Sequence, residues 1–135
     1  MNQKEIEVLR TVVERGFGLA DMNTIDRLIS EDVVEHQFGR LNGRDELKKS
    51  ILAIANGFSD RQYELVRFST DGDVVWGHFK FTATHSGVFF GHQPTNRKVS
   101  IDVMDIAKIS NGQIVEHWGV PDRFALLVQI GAILK

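Results

Sequence analysis

Two side chains of this 135-residue chain, Asp105 and His117, have the types and spacing for shared acid–base chemistry. They flank Asn111-Gly112 within residues 99–122, VSIDVMDIAKISNGQIVEHWGVPD. Asn-Gly between runs rich in Val and Ile is a strong hairpin signal. Two registers are open. A two-residue turn pairs Ser110 with Gln113 and sets Asp105 opposite Trp118. A three-residue loop with Gly112 left-handed pairs Ile109 with Gln113 and Asp105 with His117. The apolar pattern favours the second register. Ile101, Val103, Asp105, Ala107 and Ile109 share one face by strand alternation. In that register they continue into Val115, His117 and Gly119. The lane is then apolar except for one carboxylate and one imidazole, within the about 4.5–5.5 Å that separates cross-strand Cβ atoms. An ionisable pair in an apolar concavity suits general acid–base catalysis, because burial and the partner charge shift both pKa values. The same pair could instead be a structural contact satisfying itself in the core.

The other histidines extend or bound that idea. His36 lies in a short strand over 33–38 and alternates with Val34 and Phe38. His85 continues the lane Val75, Gly77, Phe79, Phe81 and Ala83, whereas His92 falls in a loop. His36, Phe38, Phe79, Phe81, His85, Val103 and Gly119 are therefore the candidate substrate contacts. No two histidines fall at i, i+4 on a helix and no His-x-His occurs, so no metal is expected. The glycines of 91–97 lack phosphate-loop spacing. Glu116 and Trp118 run out of phase with His117 and should face away from the pocket. Met104, Ile106, Ile114 and Trp118 would then form an apolar outer face suited to a sheet-to-sheet homodimer contact.

Positioning these residues takes helices first and strands afterwards. Ile6, Leu9, Val13 and Phe17 recur at helical spacing over 3–20. Asn23 is the expected N-cap of a second short helix with Ile25, Leu28 and Ile29 inward. Asn42-Gly43 leads into a third helix with Leu47, Ile51, Ile54 and Phe58 as its stripe. After Asp60 the period becomes two: strands over 61–69 and 73–87 flank Asp71-Gly72, a second hairpin signal. A loop over 89–99 feeds the 99–122 hairpin. Asp122 then caps a final helix, stopped near Gly131. This order predicts an α+β fold with helices on one face of a curved, mostly antiparallel sheet. A formal charge of −2 offers no electrostatic footprint for nucleic acid or anionic membrane. With no cysteine there is no disulfide, thiolate chemistry or thiol-bound zinc. One domain over 1–135, without signal segment or membrane span, and a cytoplasmic location are the expectation.

Residues 91–131, GHQPTNRKVSIDVMDIAKISNGQIVEHWGVPDRFALLVQIG, carry a family likeness. They are similar to the C-terminal signature of the SnoaL-like polyketide cyclase (ester cyclase) family, in the nuclear-transport-factor-2-like superfamily. That signature runs F-x-G-x-P-P-T-x-R, a strand, I-x-x-G-K-I-x-E-H-W, then D and a helix ending Q-L-G. The resemblance implies a cone-shaped (cystatin-like) fold, a homodimer, a pocket in the mouth of the cone, and neither metal nor organic cofactor. It also implies ring closure by intramolecular aldol condensation, with an aspartate two residues after His117 moving the proton. That position here is Gly119, which cannot accept a proton. The histidine that such cyclases carry on the preceding strand corresponds to Asp105, so acid and base could have exchanged strands.

The leading expectation is a cofactor-free enzyme performing cyclase-, isomerase- or hydrolase-type chemistry on a hydrophobic carbonyl compound. Asp105 would be the base and His117 its partner. The alternative is a non-catalytic protein binding a small hydrophobic molecule, which Gly119 favours.

Overall fold

The computed structural model describes residues 3–133, so the first two and last two residues of the expected 1–135 domain lie outside it. Helix α1 (Gln3–Thr11) runs without a break into a π-helical segment, Val12–Phe17. The wider winding turns Val12, Val13, Gly16 and Phe17 all inward. Helix α2 (Met22–Leu28) follows, then strand β1 (Ile29–Glu35) and helix α3 (Arg44–Gly57). Three long strands come next: β2 (Phe58–Asp71), β3 (Val74–His85) and β4 (Lys98–Ser110). Strand β5 (Gln113–Pro121) and helix α4 (Arg123–Gln129) complete the order. The α+β expectation holds: helices pack on a curved, mostly antiparallel sheet.

The strands lie in the order β1-β5-β4-β3-β2. β2 to β5 form an antiparallel meander, each pairing with its sequence neighbour. β1 is different, because it lies parallel to β5 and sets Glu35 beside His117. Register shifts in β2, between Ser59 and Gln62 and again between Leu65 and Arg67, bend the sheet as bulges do. The concave side holds two apolar clusters. Ile6, Leu9, Ile25, Ile51 and Phe79 anchor one beneath the helices, while Phe58, Phe81, Ile101 and Leu126 anchor the other beneath α4. Tyr63 packs against both. Among the described residues, no helix is long and apolar enough to cross a membrane.

Four local expectations are corrected. The N-cap of α2 is Asp21, whose Oδ1 accepts from the Thr24 N–H at 3.3 Å; Asn23 lies inside the helix. Phe58 begins β2 instead of ending α3. The β4–β5 turn has two residues, Asn111 and Gly112, with φ of 52° and 76°, and Ser110 pairs with Gln113. One extra residue in β5 then restores the phase, since Ile109 pairs with Ile114 but Lys108 with Glu116. Asp105 consequently faces Gly119 across the ladder, and His117 is its diagonal neighbour opposite Ala107. The same bulge turns Ile114 into the core at 0 % exposure, so it does not belong to the outer face.

Candidate functional site

His117 is held between two carboxylates. Its Nε2 lies 2.8 Å from Asp105 Oδ1, and its Nδ1 lies 2.9 Å from Glu35 Oε2 and 3.0 Å from Oε1. Three adjacent strands supply the three groups: β4 brings Asp105, β5 His117 and β1 Glu35. Their side chains are 6 %, 5 % and 1 % exposed respectively. Glu35 is fixed further by the Gln37 backbone N–H, which donates to Oε2 at 3.1 Å. The Asn42 side chain accepts from the Glu35 N–H at 2.8 Å and ties the end of β1 to the loop before α3.

Burial alone would strip the proton from His117, but hydrogen bonds and charge from Asp105 and Glu35 outweigh it and push its pKa up to about 9. Burial likewise opposes the charge on Glu35. Contact with His117, the Gln37 N–H and the Arg40 charge still hold its carboxyl below the usual range. At neutral pH the centre is thus an imidazolium donating from both nitrogens. Asp105 Oδ2 takes no hydrogen bond from the described residues.

Asp105 lines a cavity of about 50 Å³, enough for a few waters. Its walls include Phe17, Phe58, Tyr63, Phe81, Ile101, Val103 and Leu126. Tyr63 is kept protonated by burial and by the nearby Asp105 charge, both of which raise its pKa. Gln37, Arg40, Ile54, Phe89 and Arg123 line this cavity and also an outer cleft of about 680 Å³. That cleft has the size of a small-molecule site.

Of the expected substrate contacts, Phe81 and Val103 line the inner cavity, and Phe38 stands fully exposed at the outer cleft. Phe79 lies in the core, away from both. His85 is buried against Phe58, with Nδ1 3.0 Å from Thr95 Oγ1. His36 is on the opposite side of the sheet, stacked on Trp118 with centroids 4.6 Å apart and bonded to Glu116 at 2.6 Å. The reason is phase: β1 buries Val33 and Glu35 and turns Val34 and His36 outward. Gly119 sits beside the centre. A Cβ there would lie 2.3 Å from Gln37 Oε1 and 3.1 Å from His117 Cε1, so the Gln37 amide fills the space a side chain at 119 would need.

Sequence reasoning missed Glu35, Gln37, Arg40, Tyr63 and Arg123. For Glu35 the only local signal is its alternation with Val33, which the adjacent Val34 blurs; for Tyr63 it is alternation with Leu65 in β2. The arginines lie at or beyond strand ends, where no period reaches.

With this geometry in place, comparison with known proteins decides the family. The sequence profile of the SnoaL-like polyketide cyclases matches residues 7–130. The chain belongs to that family. No curated protein matches it. Among solved structures, the SnoaL-like chain is similar to TsrD from Streptomyces laurentii, with a TM-score of 0.88 and 20 % identity over 98 % of this chain and 99 % of that one. That likeness concerns the fold. AclR from Streptomyces galilaeus, described as a candidate hydroxylase, matches at TM-score 0.82 and 27 % identity over 97 % and 85 % of the two chains. IdmH from Streptomyces antibioticus, described as a candidate polyketide cyclase, matches at TM-score 0.82 and 25 % identity over 94 % and 98 %. The likeness read from residues 91–131 thus extends over nearly the whole chain, and so does the nuclear-transport-factor-2-like cone it implied.

Proposed function

We propose that this SnoaL-like protein is a cofactor-free enzyme that abstracts a proton next to the carbonyl of a small hydrophobic compound. The observation that carries the reading is a buried carboxylate with one oxygen tied to an imidazolium and the other free beside an apolar cavity. In the step, a C–H bond of the substrate breaks and its proton passes to Asp105. The electron pair moves onto the carbonyl oxygen as an enolate. In this reading Tyr63, a neutral hydroxyl whose residue lines the same cavity, donates to that oxygen. His117, charged and fixed by Glu35, holds Asp105 in place through its Nε2 contact. The enolate then takes back a proton or attacks a second carbonyl, which gives isomerisation or ring closure. The aspartate expected at 119 is replaced in function by one on the neighbouring strand, directly across the ladder.

The test is solvent-deuterium exchange at the carbon next to the carbonyl, followed by NMR on a panel of aryl ketones and aryl keto acids. Asp105→Asn should lower the enzyme-dependent rate by about 10²–10⁴-fold, the range general bases contribute. Full exchange in a folded Asp105→Asn variant would sink the proposal. Exchange by neither protein, with ligand binding intact, would instead support the non-catalytic binding protein that Gly119 favours.

The outer face has a separate role in this reading. Trp76, Met104 and Val120 are 49 %, 41 % and 62 % exposed, and Ile106 and Trp118 lie between them on the same side of the sheet. A patch of this kind, continuous across three strands, suits an isologous contact with a second copy of the chain. Sedimentation velocity should show a dimer that Trp76→Lys converts to monomer; a monomeric wild-type protein would refute the assignment.

A further inference from the structure

The neck between the inner cavity and the outer cleft contains two arginines, Arg40 and Arg123. Neither has a carboxylate within ion-pairing distance among the described residues, whereas Arg10, Arg15 and Arg44 each have at least one. They lie over aromatic rings instead. Arg40 Cζ lies 5.6 Å from the Phe17 ring centroid, and Arg123 Cζ lies 5.4 Å and 5.1 Å from those of Phe89 and Phe90. A guanidinium held over a ring, with no carboxylate bound, still has N–H donors to offer a planar, bidentate acceptor. Two of those donors are dry: Arg40 Nη1 and Arg123 Nε are shielded from solvent and have no acceptor. Leaving desolvated donors unpaired is costly, and setting two cations in one neck adds repulsion. Arg40 is close enough to lower the pKa of Arg123, on top of the lowering by burial.

Charge completes the picture. At the centre, two carboxylates against one imidazolium leave one negative charge. The two guanidiniums outweigh it by one, so the empty site carries a single positive charge that a monoanion would neutralise. The outer cleft adds no free anion near the arginines, because its Glu46 is paired with Lys49 at 2.8 Å.

We infer that the neck is an anion site, and that Arg40 and Arg123 bind the carboxylate of a hydrophobic keto acid whose carbonyl end reaches Asp105. The carbonyl half of this statement rests on the proposed function; the anion half does not. A single carboxylate fits better than a phosphate. It matches the one surplus charge and the planar guanidinium groups, and Ile54, Phe89 and the neutral Gln37 amide complete the neck without another charge.

The probes are phenylpyruvate and its methyl ester, which differ by the one charge. Calorimetric titration should show the acid binding the wild-type protein about tenfold tighter or more, a gap expected of charge-assisted bidentate pairing. Arg40→Gln and Arg123→Gln should each pull the two affinities together while ester binding is unchanged, which also reports that the variant is folded. Should either glutamine variant fail to fold, Arg40→Lys and Arg123→Lys, which keep the charge and lose the fork, should retain only part of the gap. Benzoate should compete with the acid on the unmodified protein. Equal affinity for acid and ester, no binding of the acid, or a gap that survives both glutamine variants would overturn the inference. Inorganic phosphate displacing the acid more strongly than benzoate would overturn the choice of carboxylate. Asp105→Asn separates the two proposals. If deuterium exchange persists there while the acid–ester gap depends on the arginines, the base is wrong and the anion site stands.

Discussion

Two histidine–carboxylate contacts lie on opposite sides of the same strand. On the concave side His117 meets Asp105 and Glu35 at 2.8 and 2.9 Å; on the convex side Glu116 meets His36 at 2.6 Å. The distances barely differ, yet the surroundings do. The inner side chains are 1–6 % exposed, against 38 % and 30 % for His36 and Glu116. In the dry interior a charge pair interacts strongly, and losing either member leaves the other stranded. At the surface, water and salt screen the attraction, and such pairs contribute under about 1 kcal/mol. Proximity of an imidazole and a carboxylate is therefore not what marks a site. What marks it is which side of β5 the pair occupies, and alternation of Glu116, His117 and Trp118 decides that.

The sharpest way to break this contrast is pH. His117 is raised from 6.5 to about 9 in the folded protein, which corresponds to about 3 kcal/mol of stability at 1.36 kcal/mol per pKa unit. Because the folded value is the higher one, that stability is fully present below pH 6.5 and is lost as pH rises through about 9. Glu35 works in the other sense. Its folded pKa is depressed, so its contribution is present above its ordinary value of 4.5 and lost on acidification through the lower folded value. Urea unfolding should accordingly give a stability maximum between about pH 4.5 and 6.5 and a decline toward pH 9. Glu35→Gln should lower the NMR-measured pKa of His117, flatten the alkaline decline and cost about 2 kcal/mol near neutrality, typical of a charge-assisted hydrogen bond. A flat wild-type profile from pH 6.5 to 9 would mean that the buried imidazole is not the charged group described here.

The sequence discloses one half of this arrangement much better than the other. The meander from β2 to β5 is legible because Asp71-Gly72 and Asn111-Gly112 mark breaks between period-two runs, although the first turn is Gly72-Asp73 with Asp71 still paired to Val74, and local turns impose neighbouring pairings. Asp105 and His117 could be set in one lane for the same reason, although the register that joins them is a tight turn plus a bulge at Val115. The parallel pairing of β1 with β5 has no such local signal. Glu35 and His117 are 82 residues apart, and only packing of the whole sheet brings them together. For that reason His36 takes the place of Glu35 when β1 is read alone: Val33 and Val34 are equally apolar, and the phase of the strand is set by what covers it. The arginines of the neck are still less legible, since one follows a turn after β1 and the other opens α4.

The smallest expected effect is on the outer pair, and it tests the comparison from the other side. Its geometry is as good as that of the centre, with a short contact and a ring stacked on Trp118 at 9°. If geometry alone set the energy, His36→Gln and Glu116→Gln would each destabilise as much as Glu35→Gln. If burial sets it, each should cost under about 1 kcal/mol, and a double-mutant cycle should give a coupling that shrinks with added salt. The stacking on Trp118 complicates His36→Gln alone, because it removes ring contact as well as charge. The cycle removes that contribution, since it is common to both Glu116 backgrounds. A salt-insensitive coupling as large as the cost of Glu35→Gln would show the convex pair to be as shielded as the concave one, as it would be if a second copy of the chain covered that face.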